Sequence, residues 1–158
     1  MKMKNFPVGV DKSMIERTKK WLIGRQDNKG GLMLNPQALD DFGGAPEDTT
    51  NAYIVWALVE SGADGMEKEI ENLKAIAEKT SDTYVIAMAA NVLSIKGDKN
   101  GARALMKRLA DKQAENGHVP ESTTTITVSR GESQDIETTS AALLAWMRDE
   151  TLDRKSVV

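Results

Sequence analysis

Residues 82–96 read Asp82-Thr-Tyr-Val-Ile-Ala-Met-Ala-Ala-Asn-Val-Leu-Ser-Ile-Lys96, with Gly97 following. From Tyr84 to Ile95 nearly every position is apolar. The run is too long for a typical strand and too short to span a bilayer, which needs about 20 apolar residues. Ser81 or Asp82 supplies an N-cap oxygen, and Gly97 supplies the left-handed residue that ends a helix. The stretch therefore predicts a helix. A helix that is apolar all round must be covered on every side.

Working outward, five more helices are predicted, over 13–25, 49–61, 66–79, 102–114 and 137–148. Those at 13–25, 66–79 and 102–114 are amphipathic, as in Met66, Ile70, Leu73 and Ala77 at helical spacing. Those at 49–61 and 137–148 are apolar all round, through Ala52-Tyr-Ile-Val-Trp-Ala-Leu-Val59 and Ala141-Ala-Leu-Leu-Ala-Trp-Met147. The two kinds alternate along the chain. Alternation implies two layers, with buried inner helices and outer helices that keep one wet face. The short loops 62–65 and 97–100 make successive helices antiparallel. The expected fold is all-α, an α/α half toroid of about three outer–inner hairpins. Residues 1–10 form an extension, 11–150 the toroid segment and 151–158 a tail.

An internal repeat supports the layers. Trp21-Leu22-x-x-x-Gln26-x-x-x-Gly30-x-Leu32 is echoed by Leu109-Ala110-x-x-x-Gln113-x-x-x-Gly117-x-Val119, 87 residues on from Gln26 to Gln113. Asp48-Thr-Thr-Asn-Ala52 is echoed by Glu137-Thr-Thr-Ser-Ala141, 89 residues on from Thr49 to Thr138. The Gln amide can cap a neighbouring helix end, and the Gly permits the left-handed exit from the helix.

Composition excludes several functions. The net charge is -3 and only 4% of residues are aromatic, so neither a basic footprint nor a base-stacking surface points to nucleic acid. There is no cysteine, hence no disulfide, thiolate nucleophile or Cys-based metal site. His118 is the only histidine, too few for a His-based triad together with a structural zinc site. No apolar run spans a membrane, and the basic start, Met1-Lys-Met-Lys4, is followed by no signal-type apolar region.

The pattern Arg17-x-x-x-Trp21-Leu22-x-x-x-Gln26-x-x-x-Gly30 resembles the Gln–Trp repeat of α/α-toroid proteins, among them terpenoid cyclases, prenyltransferases and thioester domains. Leu32 and Val119 stand where that repeat ends in Trp. The fuller resemblance is to bacterial alpha-2-macroglobulin-like proteins. It runs through Asn35-Pro-Gln-Ala-Leu-Asp-Asp-Phe-Gly-Gly-Ala-Pro46, Asp48-Thr-Thr-Asn-Ala-Tyr-Ile-Val-Trp-Ala-Leu58, Ser122-Thr-Thr-Thr125, Ser129-Arg-Gly-Glu-Ser133 and Asp135-Ile-Glu-Thr-Thr139. This implies the later half of a thioester-type toroid in a protein of protease trapping, endopeptidase inhibition or surface defence. It implies a periplasmic or extracellular setting, other domains of a longer parent as partners, and proteases as indirect targets. The family's Cys-Gly-Glu-Gln thioester sequence is absent, so no catalytic, cofactor-binding or metal residue is carried over and no cofactor is expected. Three hairpins of an expected six imply a segment of a longer protein, whose uncovered hairpin edges could self-associate. A cyclase-like or other toroid enzyme and a free-standing helical interaction module are the alternatives.

Several side chains offer chemistry and each has a structural reading beside it. Asp40-Asp41, with Glu47 and Asp48 beyond, could bind magnesium or donate a proton; loop and capping roles fit them better. His118 could act as a general base toward Ser129 or Ser133; a helix-end hydrogen bond is the structural reading. Trp21, Trp56 and Trp146 could line a ligand pocket, although core packing suits them. Arg103, Lys107 and Arg108 read as a solvated face. The stretch Glu121-Ser-Thr-Thr-Thr-Ile-Thr-Val128 alternates like a strand and offers a short β-hairpin over 121–131, against an extended loop laid on the helices.

Overall fold

The computed structural model describes residues 11–33 and 44–149. The proposed extension 1–10, the tail 151–158 and the Asp40-Asp41 pair lie outside these residues. The described residues form six helices: α1 (Lys12–Ile23), α2 (Glu47–Glu60), α3 (Glu67–Lys79), α4 (Thr83–Lys96), α5 (Lys99–Asp111) and α6 (Glu132–Trp146).

Local chemistry sets the ends. Asp82 accepts the free amides of Tyr84 and Val85, and its second oxygen takes Thr123 N, so one carboxylate both caps α4 and anchors a later loop. Gly97 closes α4 at φ 85. Asp98 accepts Gly101 N and starts α5 three residues earlier than sequence spacing predicts. Helix α6 likewise starts five residues early, because Gly131 turns the chain at φ 59 and Glu132 and Asp135 then sit in the first turn, where acids favour the helix dipole.

Helix α4 is the centre. Every residue from Thr83 to Leu93 is buried, and α2, α3, α5 and α6 all pack on it. The expected all-round burial of the other two apolar helices does not occur. Helix α2 buries Ala52, Val55, Leu58 and Val59 but leaves Tyr53, Ile54 and Trp56 half-buried. Helix α6 buries Ala141, Ala142, Ala145 and Trp146 and exposes Ile136, Leu143 and Leu144, with Met147 exposed just beyond its end. Each has a neighbour on one side only. Helix α1 buries no residue, and only Leu22 and Ile23 of its residues lie against the core.

The 121–131 hairpin is corrected: the described residues there form no strand. Glu121 and Val128 take left-handed backbone (φ 69 and 54), which breaks an extended ladder. The hydroxyls bond locally instead, Thr125 with Thr127 at 3.2 Å and Thr127 with Ser129 at 2.6 Å, while Val128 N turns back to Thr125 O. Alternation in a threonine-rich stretch thus produced a turn.

One buried polar group joins the three inner helices. Asn91, fully buried in α4, donates through Nδ2 to Ala87 O and to Ala141 O of α6, both at 2.9 Å. Its Oδ1 accepts Arg148 Nε at 3.0 Å, and Arg148 Nη2 donates to Glu60 of α2 at 2.6 Å. Replacing Asn91 by Ala strands the Arg148 and Ala141 groups. Asn91→Ala is expected to cost about 1–3 kcal/mol, read as a thermal midpoint lowered by about 2–4 °C per kcal/mol.

Candidate functional site

The strongest candidate is the pair of glutamine–glycine loops that lead from outer to inner helices. In the first, Asp27 N donates to Gly31 O at 3.0 Å; in the second, Ala114 N donates to His118 O at 2.9 Å. Gly30 and Gly117 sit at φ 97 and 89. Leu32 and Val119 then plunge into the core, both buried, where the Gln–Trp repeat has its tryptophan. The amide of Leu32 is held by Asn51 Oδ1 at 3.3 Å and that of Val119 by Thr139 Oγ1 at 2.9 Å, from neighbouring register positions on α2 and α6. The 87-residue repeat is therefore the same backbone frame built twice.

The glutamines use that frame differently. Gln26 Nε2 donates to Gly65 O at 2.7 Å and to the buried carboxylate of Glu69 at 2.9 Å, pinning the first loop to the start of α3. Asn72 of α3 adds a bond to Gly30 O at 2.9 Å. Gln113 Nε2 instead closes its own loop onto Gly117 O at 2.8 Å. Asp27 accepts Lys29 N and Gly31 N with one oxygen. The backbone donors Gly31 and then Lys29 hold its carboxyl below the ordinary value of 3.8.

His118 lies beside the first turn of α6: its Nδ1 is paired with Asn116 Oδ1, and Nε2 stands 3.8 Å from Asp135 Oδ2. Ser129 is engaged with Thr127 rather than with the imidazole, and Thr127 donates to Glu137 at 2.6 Å. Glu137 also accepts the Tyr84 hydroxyl at 3.4 Å. Burial, reinforced by the Glu137 carboxylate, pushes the Tyr84 phenol up, so it stays protonated and acts as a donor. These groups strap loop 122–129 onto α4 and α6. Glu47 and Asp48 occupy the first turn of α2, where they favour its dipole. Among the described residues no three His, Cys, Asp or Glu side chains gather in a way that could hold a metal ion.

The three tryptophans are not brought together. Trp21 is 56% exposed, carries Arg25 5.3 Å above its ring, and lines a cleft of about 130 Å³ with Leu22, Leu32, Met33 and Ile54. Trp56 meets Tyr53 edge to face at 5.7 Å, and Trp146 donates to Met106 O at 3.1 Å. Nor is the basic cluster merely solvated. Arg108 donates to Ala77 O and Thr80 O, both at 2.5 Å, capping the open carbonyls of α3. Arg103 forks onto Asp149 at 2.6 and 3.2 Å, and Lys107 pairs with Asp111 one turn away. Sequence reading passed over Asn91, visible as a polar residue in an apolar helix, and took Arg108 for part of a solvated face; nothing in the sequence marked its capping role.

The whole chain, residues 1–158, matches the A-macroglobulin TED domain family. The chain belongs to that family. Comparison with curated proteins gives no match. As a macroglobulin TED chain, its all-helical, hairpin-repeat architecture is that of the family's α/α toroid. The TED domain bears the thioester in macroglobulins and complement, whereas this TED chain has no cysteine and so supplies no thioester sulfur itself.

Two measurements check the loops. A Cβ at residue 30 would lie 2.8 Å from Asn72 Cβ and 3.0 Å from Lys68 O, whereas at 117 the nearest atom is 4.0 Å away. Gly117→Ala should therefore cost only the left-handed penalty of about 1–2 kcal/mol, with Gly30→Ala clearly worse in urea unfolding. The depressed Asp27 carboxyl stabilises the fold above its unfolded value of 3.8, and the gain is lost as pH falls through the lower folded value. Asp27→Asn should flatten the loss of thermal midpoint between about pH 5 and pH 2.

Proposed function

We propose that this chain is a non-enzymatic structural segment of an alpha-2-macroglobulin-like protein that acts outside the cell in protease trapping or surface defence. The family match over the full length carries this reading. Two features support a structural rather than a chemical role. Leu32 and Val119 fill with core packing the positions where a cyclase-like repeat presents tryptophan. The hydroxyl, carboxylate and imidazole groups described above are spent on holding loops. Contact with other domains of the parent would run through the outer helices and through loops 28–47 and 117–136, the latter resting on the Thr127–Glu137 and Lys112–Glu121 pairs. The isolated chain, in this reading, traps nothing by itself.

The test is to add the purified chain in excess to serine, cysteine and metallo-proteases. Cleavage of a large protein substrate is then followed beside cleavage of a small peptide. Unchanged rates on both are expected. Selective protection of the large substrate would mean that this chain is a complete trap, and inhibition on the small peptide would mean an active-site inhibitor; either result sinks the proposal.

A further inference from the structure

The two glutamine–glycine loops share a backbone frame but not its chemistry. At matching positions the first reads Lys29-Gly30-Gly31 and the second Asn116-Gly117-His118. An asparagine that precedes a glycine can react with its own backbone. The glycine nitrogen attacks the side-chain carbonyl carbon, and with no Cβ the glycine leaves that approach open. Two asparagines of this chain precede a glycine, Asn100 and Asn116. Both are exposed.

Their surroundings differ. Asn100 lies in the first turn of α5, where Gly101 N is held by Asp98 Oδ1 at 2.9 Å. A Cβ on Gly101 would lie 2.6 Å from Asp98 Oδ2, so the space beside this nitrogen is already filled. Asn116 lies outside the helices, in a turn that Gly117 N closes onto Ala114 O at 2.8 Å. A Cβ on Gly117 would meet nothing nearer than Gln113 Nε2 at 4.0 Å, which leaves room for a ring. The imidazole of His118 adds a second advantage. Asn116 Oδ1 only accepts, so the His118 Nδ1 paired with it carries the hydrogen. A donor at that oxygen stabilises the negative charge that builds there when the carbonyl is attacked.

We propose that Asn116, Gly117 and His118 form a self-modification site, at which the Asn116 carboxamide is converted to a carboxylate. Gly117 N gives its proton to solvent and bonds to Asn116 Cγ. The Cγ–Nδ2 bond breaks, and Nδ2 takes a proton and leaves as ammonia. Water then opens the cyclic imide at one of its two carbonyls. Opening at Cγ gives aspartate with the main chain intact. Opening at the main-chain carbonyl gives isoaspartate, which routes the main chain through the side chain and lengthens it by one carbon. Two bonds span residue 116, Ala114 N to His118 O at 2.9 Å and Gln113 Nε2 to Gly117 O at 2.8 Å. The longer isoaspartate chain loosens both. The first loop, with Lys29 at this position, has no carboxamide to convert. None of this depends on protease trapping.

The test ages the full chain in warm neutral buffer and maps its peptides by mass, with isoaspartyl methyltransferase to label the isoaspartate. Conversion with loss of ammonia is expected at Asn116, several-fold faster than at Asn100, with both products present. Asp64 also precedes a glycine, but its isomerisation releases no ammonia and is told apart by mass. His118→Ala should slow Asn116 several-fold and leave the Asn100 rate unchanged, which shows that the variant is still folded. Fresh Asn116→Asp chain should keep the native thermal midpoint, whereas the isoaspartate fraction of aged native chain should melt lower. Equal rates at Asn100 and Asn116 overturn the proposal, and so does a His118→Ala chain that converts Asn116 as fast as the native one.

Discussion

A helix with no polar side can exist in water only if other elements surround it, and α4 sets that requirement for the whole chain. Four helices meet it, each with the part of its surface that is apolar. Helices α3 and α5 keep polar outer faces because one stripe suffices to cover α4. Helices α2 and α6 flank α4 and reach the solvent on their far sides. The single polar residue buried along the centre of α4, Asn91, is satisfied on both amide atoms, which is what makes its burial tolerable. Burial of Thr83 follows the same rule, its hydroxyl donating to Pro120 O at 2.6 Å.

The paired loops show how a repeat can preserve a backbone while its side chains change work. The left-handed glycine, the amide bond across the loop and the apolar plug recur in both copies. The glutamine reaches a neighbouring helix in one copy and its own loop in the other. The left-handed glycines and the glutamine hydrogen bonds account for the Gln–Gly spacing in structural terms. The TED domain bears the thioester in macroglobulins and complement, and these residues carry the toroid frame with no cysteine among them.

Much of this was legible in the residues. Six helices, their alternation and the repeat all follow from periodicity, since apolar spacing reports directly on what must be buried. The helix starts of α5 and α6 were less legible, because Asp98 acts through a side-chain cap and Gly131 through its left-handed backbone rather than through the apolar pattern. Residues 121–131 left a hairpin and a loop both open, because threonine has strand propensity while its hydroxyl can bond its own neighbours and fold the chain back. Arg108 looked like a solvent-facing cation because a sequence does not show that the α3 carbonyls end beside it. The apolar surplus on α2 and α6 was plain in the sequence, but which side of each helix would remain open depended on the packing order. Of the candidate site, the loop glycines and glutamines were legible; the assignment of His118, Ser129 and Glu137 to loop fastening needed their distances.

The Glu60–Arg148–Asn91 link has a consequence for how the chain unfolds. Repeat proteins behave like beads on a line, each unit gaining stability only from the next, so they can fray inward one unit at a time. Here a guanidinium beyond α6 touches both the last residue of α2 and the middle of α4, joining residues 88 positions apart. That closes the line into a loop of dependencies. Opening the third hairpin also removes a partner from the first, and α2 to α6 become one cooperative unit. Helix α1, outside the link and without a buried residue, keeps the freedom to open locally on its own.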